Sequence, residues 1–337
     1  MAKITLGMWS THGPILNTNP DEWLLRVPFD KRISHWYRGE QYSYEEMLEL
    51  RKDENLAQAI SVQERTARHA QCQKGVEALA DLWEQNKPDV AVIMGNDQRE
   101  LIAESMQPVF AAHHGDTFWQ KPLNEEREKG LSPGIKETEW AYRPDEEVIW
   151  PGLPDLAAHL FGCAADEGFD ITAIKEWPET RPEHWHFGTP HAFAWIIRRI
   201  MRDNPVPILP VFTNTFHPPN QPTAKRCFEF GEFIGRAIES WDQDKTVAVF
   251  GSGGMSHFVI NEELDHRVLD AIQSRDKDTL INVSQQELMQ GTSELRNWIS
   301  TAGIVFGTEL SGDVIDYIPC YRTEAGTGTA QGFICWK

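Results

Sequence analysis

The sequence predicts a single α/β domain built on a central, mostly parallel sheet with helices on both sides. Three observations predict it. The apolar, β-branched run Thr246-Val-Ala-Val-Phe250 leads straight into Gly251-Ser-Gly-Gly-Met-Ser-His257, a strand entering a glycine-rich turn that sets a histidine at the sheet edge. Ile4-Thr-Leu-Gly-Met-Trp-Ser10 repeats the plan and is followed at once by Thr11-His12-Gly13-Pro14. Between them, an amphipathic stretch from Val62 to Asn86 ends at Lys87-Pro88 and hands over to Asp89-Val-Ala-Val-Ile-Met-Gly95, the helix-then-strand grammar of βαβ units. Strands near 4–10, 89–95, 206–213 and 245–251 should aim their carboxyl ends at one cavity, where open α/β sheets bind ligands.

The remaining elements follow in order. Ser43-Tyr-Glu-Glu46 has the form of a capping box before a short helix. In the 62–86 helix, Val76, Leu79, Leu82 and Trp83 form the buried stripe, and His69 belongs to the helix surface or its packing. Asn96-Asp97-Gln98-Arg99-Glu100 places polar residues at a third strand end, where a plain turn and helix cap would also explain them. Residues 113–153 are charged, rich in Pro, Gly and Trp, and weakly periodic, so they read as a lid-like excursion within the domain. Its adjacent His113 and His114 point apart on regular structure and are poor joint ligands.

Pro154 to Asp166 reads as a helix and Ile171–Ile174 as a strand. A histidine-dense segment with His184, His186 and His191 precedes a helix from Ala192 to Met201. Helices follow over Ala224–Trp241, Glu262–Ser274 and Ser284–Met289. Another starts near Glu294 with Thr292 or Ser293 as N-cap. The 317–329 tail reads as a glycine-threonine loop before a strand over Gln331–Trp336.

Composition excludes several classes. The 337 residues carry a formal charge of −19, the opposite of the basic footprint that nucleic acid requires. Five widely spaced cysteines, with no C-x-x-C, read as reduced thiols of a cytoplasmic protein. The N-terminal residues lack a signal-peptide pattern, and no run is long and apolar enough to span a bilayer.

His12, His257, Glu294 and the polar corner at Gln98 therefore stand out. Two histidines and a carboxylate are the ligand set of non-haem Fe(II) oxygenases. A glutamate in the first turn of a helix is also favoured simply by the helix dipole.

Seven short motifs carry a resemblance. They are Leu6–Pro14, Asp89–Asp97, Gly188-Thr-Pro-His-Ala-Phe193, Asn214-Thr-Phe-His-Pro-Pro-Asn-Gln-Pro-Thr223, Gly251–His257, Ser293-Glu-Leu-Arg-Asn-Trp298 and Ala325-Gly-Thr-Gly328. In order and spacing, over nearly the whole chain, they resemble the class III extradiol ring-cleavage dioxygenases, the superfamily of the protocatechuate 4,5-dioxygenase catalytic subunit, and within it the gallate and 3-O-methylgallate branch. The resemblance implies Fe(II) held by His12 and Glu294, His257 as the acid/base histidine and His191 as a second catalytic or substrate-contacting histidine. It implies O2 and a catechol-type aromatic acid as substrates, and Tyr321 and Thr327 beside the substrate carboxylate. A homodimer is the expected assembly. One position departs: Gln98 stands where better-known members have a second iron-binding histidine, so Gln98, Glu100 or another histidine completes the metal site. Two alternatives remain open, a non-redox enzyme on the same scaffold and a metal-free binding protein.

Overall fold

The computed structural model describes residues 1–103, 105–177 and 188–337. The strands are β1 (Lys3–Ser10), β2 (His35–Tyr37), β3 (Glu40–Tyr42), β4 (Val90–Gly95), β5 (Phe110–His113), β6 (Thr117–Gln120), β7 (Val148–Pro151), β8 (Thr172–Ile174), β9 (Ile208–Thr213), β10 (Thr246–Ser252), β11 (His257–Val259), β12 (Gly312–Tyr321) and β13 (Thr327–Trp336). Nine of them form one mixed sheet in the order β11-β13-β1-β10-β4-β9-β5-β8, with β12 also on β13. Its centre, β1, β10, β4 and β9, is parallel throughout. The four predicted strands are these four, adjacent in space, and their carboxyl ends lie side by side.

The central strands are buried on both faces, so they read as continuous apolar runs. Their residues alternate between two cores, as a period of two demands. Val92, Met94, Val247 and Val249 face the core closed by helices Ala224–Ser240 and Leu295–Phe306. Ala91, Ile93, Ala248 and Phe250 face the other, where Cys72, Val76, Leu79 and Trp83 of helix Val62–Asn86 pack. The capping box at Ser43 is present, its hydroxyl accepting from the Glu46 amide while the Glu46 carboxylate accepts from Ser43 N–H. All five cysteines are free thiols. Among the described residues, no helix is long and apolar enough to cross a membrane.

Several expectations need correction. The tail is a long antiparallel hairpin, β12 on β13. The interruptions Asp316 and Pro319 and the glycine of Thr327-Gly-Thr329 hide its alternation. Ser284–Met289 is a run of turns, held by bonds between Ser284 and Glu287. Neither Thr292 nor Ser293 caps helix Leu295–Phe306. Both lie in a 3-10 turn, Gln290–Glu294, and the Thr292 hydroxyl turns to the Glu287 and Met289 carbonyls. The Ala192 helix begins at His191 and widens to a π turn over Ile196–Ile200. The 113–153 segment carries the β6–β7 hairpin and a 3-10 turn, Lys136–Ala141, and its Phe118, Ala141, Tyr142 and Trp150 enter the second core. His184 and His186 lie outside the described residues.

Helices Ala224–Ser240 and Leu295–Phe306 touch backbone to backbone. A Cβ on Gly303 would lie 2.2 Å from the Phe228 carbonyl oxygen, and one on Gly231 1.9 Å from that of Ser300. This contact sets the height of Glu294, at the head of the second helix. Gly303→Ala should therefore lower stability by about 1–3 kcal/mol despite alanine's better helix propensity. A thermal melt checks it, and an unchanged or raised midpoint would contradict the packing argument.

Candidate metal and catalytic site

The site forms where the parallel strands end. β1 and β10 run side by side with Ser10 opposite Ser252, and Gly253 N–H donates to the Ser10 carbonyl at 3.2 Å. The loops bearing His12 and His257 thus leave the sheet as neighbours. Glu294 arrives from the opposite direction, at the start of helix Leu295–Phe306.

The His12 imidazole is buried, 2% exposed. Its Nδ1 lies 2.9 Å from the Ser252 hydroxyl oxygen. That hydroxyl gives its single proton to the Ala192 carbonyl at 2.6 Å. Ser252 can then only accept from His12, which fixes the proton on Nδ1 and leaves a lone pair on Nε2. Burial lowers the affinity of His12 for a second proton, against the pull of Glu294. The bare Nε2 sits 3.3 Å from Glu294 Oε2 and makes no hydrogen bond. A lone pair and a carboxylate facing each other call for a cation between them, either a second proton on His12, which Glu294 favours, or a metal ion.

Glu294 is 4% exposed. Burial pushes its carboxyl up, but His12, and then His257 and His191, outweigh it and hold it well below the usual range. Its Oε1 accepts from Asn96 Nδ2 at 3.0 Å and Gln98 Nε2 at 3.4 Å. Its Oε2 accepts from Gly254 N–H at 2.5 Å. A Cβ on Gly254 would sit 2.5 Å from His257 Nδ1 and 3.1 Å from Glu294 Oε2, so only glycine lets the loop pass between them.

His191 comes closer to the centre than the sequence reading placed it. Its ring stands edge-on to that of His12, centroids 4.7 Å apart. Its Nδ1 lies 2.7 Å from Glu100 Oε2, and its backbone N–H reaches both Glu100 oxygens at 3.2 Å. Burial alone would lower its pKa; the charge and hydrogen bond of Glu100 reverse that and raise it to about 9. With Nδ1 engaged, Nε2 is the nitrogen left for the site. His12, His191 and Glu294 each offer one ligand atom within 4.8 Å of the others. In the sequence His191 follows Gly188-Thr-Pro at a helix start and Glu100 stands two places beyond Gln98, but nothing local links the two.

His257 is half-buried. Its Nδ1 lies 2.8 Å from the Met255 carbonyl oxygen, which commits that nitrogen as a donor and leaves Nε2 as an acceptor. The preceding residue is clamped: Asp265 accepts from Ser256 N–H at 2.9 Å and from the Ser256 hydroxyl at 2.5 Å. Tyr317 donates to the same carboxylate at 2.8 Å. Burial drives the Asp265 pKa up to about 7 against these bonds.

Gln98, His191, His257 and Glu294 line one cavity of about 260 Å³. Trp23, Phe216 and Phe258 add apolar wall, and Ile135 of the 113–153 excursion closes part of it. Tyr321 and Thr327 do not line it. Tyr321 is buried, its hydroxyl donating to Glu262 at 2.5 Å. The Thr327 hydroxyl donates to Asp30 at 2.8 Å. Their near neighbours Arg322 and Thr329 face the cavity instead.

Residues 58–327 match the family described as the catalytic LigB subunit of aromatic ring-opening dioxygenase. A gallate dioxygenase of Pseudomonas putida is 34% identical over 195 residues, 53% of this chain and 52% of that protein. The chain thus spans about half the length of this curated relative. It belongs to the aromatic ring-opening dioxygenase family.

Proposed function

We propose that this family member is an Fe(II)-dependent extradiol dioxygenase that opens a catechol-type aromatic acid, of the gallate, 3-O-methylgallate or protocatechuate kind, with O2. The observation that carries the reading is the buried Nε2 of His12, which has no hydrogen-bond partner and lies 3.3 Å from the Glu294 carboxylate. With His191 they supply two imidazoles and one carboxylate, a donor set that suits Fe(II) and leaves positions open for reactants. His191 takes the third place that the sequence suggested for Gln98. Gln98 turns its amide N–H toward Glu294 and acts as a donor that steadies the carboxylate. Glu100 fixes the tautomer of His191 from behind, a common support for a ligating histidine. With that place filled, Gln98 no longer argues for a non-redox enzyme.

When bound, the iron would supply positive charge that draws two adjacent phenolic oxygens and O2 into one geometry. The protein residues do the rest. Trp23, Phe216 and Phe258 offer an apolar wall for an aromatic ring and exclude water from it. His257, with Nδ1 committed to Met255, accepts a phenolic proton at Nε2 and later returns it. The Asp265–Ser256 clamp keeps that nitrogen at a constant position. A homodimer and a cytoplasmic location belong to the same reading.

Two outcomes are expected. Under anaerobic metal analysis, Glu294→Ala and His191→Ala should each lose Fe(II) affinity by more than the roughly 10–100-fold typical of outer-shell changes. Gln98→Ala should fall within that range. Full iron retention in Glu294→Ala would reject the site.

With an oxygen electrode and catecholic acids, His257→Ala should keep its fold and its iron while turnover drops by about two to four orders of magnitude. A wild-type protein that binds iron but consumes no O2 with any catechol would overturn the reaction.

A further inference from the structure

The cavity that holds the proposed metal and base also holds two arginines, and their electrostatic states differ. Arg322 is buried and ion-paired: its Nε and Nη2 grip the two Asp30 oxygens at 2.6 and 2.7 Å. Arg26, also in the wall, has no such partner. Among the described residues no carboxylate lies within ion-pair distance of it. Its Nη1 donates to the neutral Ser132 hydroxyl at 2.8 Å, and its guanidinium stands 4.4 Å from the centre of the Phe29 ring. Glu22, four residues before Arg26, also lines the cavity, but its carboxylate accepts from Asn19 N–H at 2.7 Å, and Asp30 is taken by Arg322. In a chain with 51 acidic against 32 basic side chains, a cavity-lining guanidinium without an ion-paired carboxylate is open to an anionic ligand.

The placement of Arg26 is built. Ser132 comes from the 113–153 excursion, and so does Gly134, at φ +81, where a Cβ would sit 2.7 Å from both Arg26 Cγ and Cδ. Glycine there lets the excursion close over the arginine stem without pushing it aside. Burial and the neighbouring Arg322 work against its charge and, despite the pull of Asp30, lower its pKa to about 10. An anion in the cavity would relieve both effects.

We infer that Arg26 is the carboxylate receptor of this cavity, and that it selects aromatic acids over neutral aromatics. A planar guanidinium reads a carboxylate through paired N–H donors, while Trp23, Phe216 and Phe258 hold the ring. Arg26 thus takes the place that the sequence pointed to at Tyr321 and Thr327. The inference deepens the proposed ring-cleaving function but concerns recognition, which is measurable without turnover.

The test uses the full chain without added metal and follows quenching of tryptophan fluorescence, Trp23 being in the wall. Benzoate should bind at least about tenfold more tightly than benzamide, as expected of a hydrogen-bonded ionic contact. Arg26→Gln should abolish that preference and leave benzamide binding within about twofold. Arg26→Lys should restore part of it, since a point charge replaces a fork. Anaerobic titration of the iron-loaded protein with protocatechuate and 4-methylcatechol should show the same dependence on Arg26. Equal binding of benzoate and benzamide by the wild type would overturn the receptor, as would an undiminished preference in Arg26→Gln. If benzoate binds through Arg26 but no catechol is cleaved, the receptor stands and the ring-cleavage reading fails.

Discussion

The site depends on one buried, ionised carboxylate. Taking Glu294 out of water costs several kcal/mol unless its oxygens are engaged. Three strand ends and a helix supply what it needs. Asn96 and Gln98 donate from the end of β4, Gly254 N–H from the end of β10, and the His12 ring stands beside it at the end of β1. Glu294 also sits at the head of helix Leu295–Phe306, where unpaired amides and the dipole favour a negative charge. Asn297 ties the same corner together, bonding the Asn96 side chain at 3.0 Å and the Ser252 carbonyl at 2.8 Å. The parallel register of β1, β10 and β4 is therefore a requirement of the carboxylate as much as of the core.

Much of this was legible in the sequence, because short apolar strands ending in Gly, His or Asn announce both the sheet and its functional edge. His12, His257 and Glu294 stood out that way, and the structure sets His12 3.3 Å from Glu294 with His257 and Glu294 lining one cavity. His191 was harder. Its partner Glu100 is 91 residues away in sequence, and no local pattern predicts that a β4 corner will meet the start of a helix following a long excursion. Gln98 drew attention because it stands at the expected ligand position; only its direction in space shows it donating to Glu294. Tyr321 and Thr327, expected beside the substrate carboxylate, do not line the cavity, and the tail expected as a loop is a hairpin. In a hairpin successive side chains point to opposite faces, so Tyr321 turns inward to Glu262 while Arg322 faces the cavity.

The 113–153 excursion gains meaning from the same geometry. It contributes to the second core through Phe118, Tyr142 and Trp150. Tyr142 also donates to the His12 carbonyl at 2.8 Å, so the excursion braces the β1 loop from behind. At its other end Ser132 and Gly134 meet Arg26. One inserted segment thus touches both the support of the proposed metal ligand and the cation proposed to read the substrate.

The position of β13 within the sheet has a consequence for biosynthesis. This strand follows every other site-bearing segment in sequence, yet it lies in the interior of the sheet, between β1 and β11. β11 carries His257 and, among the described residues, pairs within the sheet with β13 alone. In synthesis His12, His191, His257 and Glu294 therefore all precede the strand that docks β11, and the proposed base takes its place only once β13 has been made.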